Sequence, residues 1–265
     1  MKGEDDGIGS LAHQRIGVHS LNNKGNGATC IEYNNAFDIT IKFDNSEIVN
    51  TLHWNDFIIG KFKSPFDKNG DGGYLGNVFK TKEDLNRKIY CTWKDMLKRV
   101  NTINRTNRNK TYKDVDVCLD WYNYNNFKKW MQEQTNYLFW ENGYRWQIDK
   151  DILKKNNKIY SPENCCLVPH YINYLFIKKE GSRGDYPIGV HYDIQKGKLM
   201  AQCKNPLLNK TINLGRYDDV NEAFVTYKKY KESIIKEIAI RDYNNGYITK
   251  QCYEAMMKYE VEITD

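Results

Sequence analysis

Two stretches of period-two alternation, each leading into a helical pattern, bound what this chain can fold into. Thr29-Cys30-Ile31-Glu32-Tyr33 and Asp38-Ile39-Thr40-Ile41-Lys42-Phe43 alternate about Asn34-Asn35, with a hairpin loop expected at residues 22–27. Residues 54–62 offer a further apolar strand, punctuated by Ser64-Pro65, so residues 15–78 read as a small barrel-like β unit. In the last third, Ile188-Gly189-Val190-His191-Tyr192, Leu199-Met200-Ala201-Gln202-Cys203 and Thr211-Ile212-Asn213-Leu214-Gly215 form three strands in hairpin order. Asp219 with Glu222 makes an acidic variant of the capping box. The helix it opens carries Phe224, Tyr227, Ile234, Ile235 and Ile238 on one face, packable against that sheet.

Between these stretches, Thr81 and Asp84 approximate a capping box, after which Leu85, Ile89, Trp93, Met96, Leu97 and Val100 recur at helical spacing. A basic, Asn-rich loop follows. Val115-Asp116-Val117-Cys118 and Trp121 resume the core, and Phe127, Trp130 and Met131 predict a second short helix. We assign these aromatics to the core rather than to base stacking. Trp146 and Ile148 then lie on one strand of a hairpin and Leu167 and Val168 on its return, with Pro169 ending it and a helix beginning near His170. Residues 180–185, with Gly181 and Gly184, read as a linker, and a short helix is expected over residues 249–259. The fold class is α+β. Its expected parts are a disordered start (1–14), the β unit (15–78), a ββα middle domain (79–180), a three-stranded antiparallel sheet plus helix (185–243) and a final helix (244–265).

Seven cysteines without CxxC spacing argue against a disulfide framework and a zinc knuckle. No apolar run reaches membrane-spanning length and Glu4-Asp5-Asp6 does not resemble a signal peptide, so a cytoplasmic setting without membrane contact is expected. Asp67-Lys68-Asn69-Gly70-Asp71-Gly72 matches the first half of a calcium loop, but Val78 stands at the twelfth position, so a Gly-rich turn is the better reading. The net charge of +6 is modest. Its distribution says more: Arg99, Arg105, Arg108, Lys110 and Lys113 cluster among asparagines, and the helix after Tyr227 is lysine-rich. Such clusters suit a polyanion; a solvated face is the alternative.

Gln147-Ile148-Asp149-Lys150-Asp151, Tyr160-Ser161-Pro162-Glu163-Asn164-Cys165 and His170-Tyr171-Ile172-Asn173 together resemble the HNH nucleases, especially phage and homing-endonuclease-like members. Tyr112-Lys113-Asp114-Val115, Val117-Cys118 and Trp121 are similar to a segment that precedes this motif, and the resemblance spans roughly residues 93–175. It places Asp149 on the family's strand Asp, Asn164 on its middle Asn and Asn173 on its helical residue. The implied chemistry is phosphodiester hydrolysis with one divalent cation, Mg2+ or Mn2+, held by Asp149 and Asn173, while Asn164 fixes the loop and orients the base. Lys150 occupies the position of the general-base His. An unperturbed lysine is protonated at neutral pH and cannot accept a proton, which leaves Asp151 and His170 as substitutes. Plainer roles stand beside these: a turn cap for Asn164, a charged strand end for Asp149 and Asp151, a helix-start polar residue for His170.

Gly189-Val190, the strand from Leu199 through Lys204, Leu214-Gly215-Arg216-Tyr217, Glu222-Ala223-Phe224 and Tyr227 resemble the plant ethylene-response-type (apetala) DNA-binding domain over roughly residues 186–243. The resemblance implies a sheet lying in the DNA major groove, braced by the helix, with His191, Lys198, Gln202, Lys204 and Arg216 as contacts. Arg105, Arg108 and Lys110 join them from the basic segment. His191 and Asp193 stand where that family usually has arginines, and Leu199 replaces a tryptophan. The expected function is a phage-type, metal-dependent endonuclease on double-stranded DNA, in the host cell of a phage or mobile element. The alternative is a non-catalytic nucleic-acid-binding protein that regulates or inhibits another nucleic-acid machine, with a protein partner.

Overall fold

A computed structural model describes residues 7–77, 86–106, 114–141, 146–177 and 185–265. The chain is α+β and divides into two compact units, residues 1–131 and 132–265. The Thr81 and Asp84 capping residues and most of the 180–185 linker lie outside the described residues.

In the first unit, α1 (Gly7–Arg15) occupies a start expected to be disordered. β1 (His19–Leu21), β2 (Gly27–Asn35), β3 (Asp38–Phe43) and β4 (Val49–Leu52) then form an antiparallel sheet in chain order. Period two decides its faces: Ala28, Cys30, Ile39, Ile41 and Phe43 are buried with Phe57 and Phe62. Two expectations need correction. No pairing closes β4 onto β1 among the described residues, so the unit is an open sheet rather than a barrel. Residues 54–58 form α2 (Trp54–Ile58) rather than a strand, because a short apolar run without alternation does not distinguish the two and β4 already holds the sheet edge.

α3 (Arg87–Thr106) is capped by Asn86, whose Oδ1 accepts from the amides of Lys88 (3.1 Å) and Ile89 (3.2 Å). Its stripe of Ile89, Trp93, Met96, Leu97 and Val100 is buried, and Trp93 Nε1 donates to the Trp121 carbonyl at 2.6 Å. The helix continues through Arg99 to Thr106, where a loop was expected; the straight-chain Lys98 and Arg99 extend a helix readily. β5 (Asp116–Val117), a 3-10 turn over Leu119–Tyr122 and α4 (Tyr124–Glu133) follow, with Trp121, Tyr124, Phe127, Trp130 and Met131 buried.

The second unit holds α5 (Tyr137–Glu141), β6 (Trp146–Asp149), β7 (Ile159–Tyr160), β8 (Cys166–Pro169) and α6 (His170–Leu175). Then come β9 (Val190–Asp193), β10 (Lys198–Asn205), β11 (Lys210–Tyr217), α7 (Val220–Asn244) and α8 (Lys250–Met257). The helix α7 has 25 residues, a span of about 37 Å at 1.5 Å per residue, longer than the strands it crosses. Only its first half packs on the sheet: Ala223, Phe224 and Tyr227 meet Val190, Leu199, Ala201 and Cys203. The apolar residues of its second half, expected on the same sheet, instead join a different core. There Ile234, Ile235, Ile238 and Ala239 meet Cys166, Val168, Ile172 and Leu175 of the hairpin and Cys252 and Met256 of α8. One helix therefore fixes the ββα hairpin relative to the three-stranded sheet.

Asp219 caps α7, its side chain accepting from the amides of Asn221 (2.8 Å) and Glu222 (3.0 Å). Asp219→Ala is expected to lower stability by about 1 kcal/mol, read as a lower denaturation midpoint.

Candidate functional site

The hairpin forms in the ββα order. β6 pairs antiparallel with β8, setting Gln147 opposite Val168 and Asp149 opposite Cys166, and α6 begins directly after Pro169. Each polar residue expected here has a specific local contact or place.

Asp149 is buried, and its Oδ1 accepts from the amides of Asp151 (2.7 Å) and Ile152 (2.8 Å), which turns the chain out of β6. Burial pushes its carboxyl pKa upward, with those two amides opposing. Lys150 is buried too. Its ammonium donates to Asp151 Oδ1 (2.9 Å), Asp151 Oδ2 (2.7 Å) and the Asn157 carbonyl (2.7 Å). Asn157 completes the circuit by donating from Nδ2 to the carbonyls of Lys150 (3.0 Å) and Ile159 (2.7 Å). Donation to three acceptor oxygens is what a protonated lysine does, so this geometry opposes Lys150 as a general base and occupies Asp151 as well. Asn164 Nδ2 donates to Ser161 Oγ at 2.8 Å and fixes the turn before β8. His170 is exposed at the first position of α6.

Asn173 Nδ2 donates to Gln147 Oε1. Gln147 and Asp149 are two apart on β6 and share a face, so the fold brings Asn173 to the face that carries Asp149. Asp149 Oδ2 and Asn173 Oδ1 accept no hydrogen bond among the described residues. One carboxylate and one amide oxygen match the ligand types that a hard divalent cation takes, with water and phosphate for the remaining positions. No cluster of three or more His, Cys, Asp or Glu assembles among the described residues.

The raised Asp149 pKa has a testable sign. The folded state holds this proton to higher pH than the unfolded chain does. The resulting stabilisation is complete below the unfolded carboxyl pKa and is lost as pH rises through the folded one. Asp149→Asn keeps an oxygen for the two amides and removes the buried charge. It is expected to raise the melting temperature at pH 7 and to have little effect at pH 3, as thermal melts at the two pH values will show.

The second candidate surface is the β9–β10–β11 sheet. Met200 lies between His191 and Arg216, Gln202 opposite Asn213, Lys204 opposite Thr211 and Lys198 opposite Asp193. Val190, Leu199, Ala201 and Cys203 alternate with these residues and are buried against α7. The five residues His191, Lys198, Gln202, Lys204 and Arg216 therefore share the outer face. For Arg216 this depends on a β-bulge: the register shifts between Ala201 and Gln202, so that Leu214 is the extra residue and Arg216 returns to the face of Asn213. Gly215, at φ 135°, permits the bulge, and Asn213 Oδ1 accepts its amide at 3.0 Å.

Two of the outer-face cations have partners within the fold. Arg216 Nε donates to Asp193 Oδ2 at 2.9 Å, which holds the Asp193 carboxyl below the usual carboxylate range, and Lys198 Nζ meets Asp218 Oδ2 at 2.9 Å. Lys204 Nζ lies 5.0 Å from the centre of the Tyr174 ring. Met200 and Asn213, absent from the sequence-based site, complete the face; the strand register was the signal for them. Arg105 belongs to α3 in the other unit, and Arg108 and Lys110 lie outside the described residues.

No family model, curated protein or solved structure matches this chain. Among the described residues, no helix is long and apolar enough to cross a membrane.

Proposed function

We propose that this protein binds double-stranded DNA through the outer face of β9–β10–β11 and that its HNH-like hairpin serves as a scaffold without turnover. The observation that carries the reading is the register of that face, where His191, Met200, Arg216, Gln202, Asn213 and Lys204 stand on adjacent strands with α7 behind them. Three strands at about 4.8 Å spacing make a ribbon about 10 Å across, matched to a major groove about 12 Å wide. Lys198 and Lys204 supply the cations that duplex phosphates require, and the exposed Lys198–Asp218 ion pair exchanges partners at little cost. Lys150, engaged as a donor at the position where catalysis needs an acceptor, supports a hairpin without turnover.

Anisotropy titrations on duplex DNA at stepped salt test the binding. Log affinity is expected to fall linearly with log salt, and Lys198→Ala with Lys204→Ala to flatten the slope by about one for each phosphate-binding cation removed. A salt-independent response would defeat the proposal.

A second reading, metal-dependent cleavage, is favoured by Asp149 on β6 and Asn173 on α6, which reaches Gln147 on the same face of β6. Plasmid incubated with Mg2+ or Mn2+ separates the two. Cleavage by the wild-type chain that Asp149→Ala abolishes would establish the enzyme, whereas intact plasmid in both supports the scaffold.

A further inference from the structure

Resting on the DNA-binding reading, we infer that the outer face selects A·T base pairs, with Gln202 reading adenine and Met200 contacting a thymine methyl two base steps away. Guanine is read in the major groove mainly by an arginine or lysine that approaches O6 and N7. On this face the arginine is engaged: Arg216 is tied through Nε to Asp193, whose side chain is 15% exposed. Lys198 is paired with Asp218 and Lys204 lies over Tyr174, each toward one end of β10. The middle of the central strand carries no charge on this face.

What stands there is Gln202, whose side chain makes no hydrogen bond among the described residues, so that its amide offers a donor and an acceptor together. That pair complements N6 and N7 of adenine. Its cross-strand neighbour Asn213 accepts the Gly215 amide at Oδ1 and keeps its Nδ2 donors, which suit O4 of thymine. Met200, two residues along the same face, presents a thioether and methyl between His191 and Arg216. Residues two apart on a strand are separated by about 6.7 Å, close to two base steps of 3.4 Å each. Gln202 and Met200 are thus spaced to address two pairs with one between them.

The full chain is incubated with a randomised duplex library, and the bound pool is sequenced at two salt concentrations. We expect A·T enrichment at two positions two steps apart. Gln202→Ala should lose the adenine preference by about tenfold, since a bidentate pair carries discrimination between bases. Gln202→Glu, which keeps the acceptor and loses the donor, should move the preference at that position from adenine to cytosine. Circular dichroism melts confirm that both variants fold. Salt-dependent binding with a G·C-enriched or unenriched pool, or with a preference that Gln202→Ala leaves unchanged, overturns the base assignment and leaves the DNA-binding reading standing. Loss of all duplex binding by the wild-type chain overturns both.

Discussion

Gly189→Ala is expected to destabilise the second unit by about 3 kcal/mol. Two independent costs add. Gly189 sits at φ +79°, where a Cβ costs about 1–2 kcal/mol. A Cβ there would also lie 2.0 Å from Tyr227 Cδ2 and 2.3 Å from Cε2, and Tyr227 is only 4% exposed within the core between α7 and the sheet. Overpacking of this kind costs about 1–3 kcal/mol. Equilibrium denaturation reads the loss, and a double-mutant cycle with Tyr227→Leu divides it. If the tyrosine variant relieves none of the cost of Gly189→Ala, the packing explanation is wrong and the backbone conformation carries the effect alone.

Asp242→Ala is expected to cost a similar amount, about 3 kcal/mol, by unlocking α6 from α7. Asp242 is fully buried; it accepts from the Tyr171 hydroxyl at 2.7 Å and from Arg241 Nε at 2.7 Å, and Arg241 Nη2 donates to the Tyr171 oxygen at 3.0 Å. Burial first, and then the hydrogen bond to Asp242, push the Tyr171 phenol well above its ordinary range. Alanine takes the acceptor from the Tyr171 hydroxyl and leaves a void at a fully buried position, while the 40% exposed Arg241 turns to water. Asp242→Asn keeps the volume and an acceptor and should recover roughly half of the loss. A midpoint for Asp242→Ala within experimental error of wild type would show that the cluster contributes nothing.

Much of the second unit was legible because its elements are half-buried. A sheet with one face on a helix must alternate, and its central strand, residues 198–205, does so. Pro169 and the Asp219 cap announce the starts of α6 and α7 through local chemistry that needs no tertiary context. Residues 54–58 were misread because a short apolar run carries no period, and α3 outran its expected end because propensity and charge composition point different ways there.

The candidate site divides along the same line. The motif resemblance picked out Asp149, Asn164 and Asn173 within one ββα segment, and alternation placed His191, Gln202 and Lys204 on one face. What Lys150 does depended on Asn157, a residue within a loop that no periodicity marks. The bulge at Leu214 moved Arg216 to the outer face, and Asp193 then engaged it. Local residue pattern by itself determined which segments are strands and helices and which side of each is apolar, because burial selects for periodicity within a single element. Which polar groups remain available to a ligand was decided only in three dimensions, because a hydrogen bond consumes a donor or acceptor according to distance in space, whatever the separation along the chain.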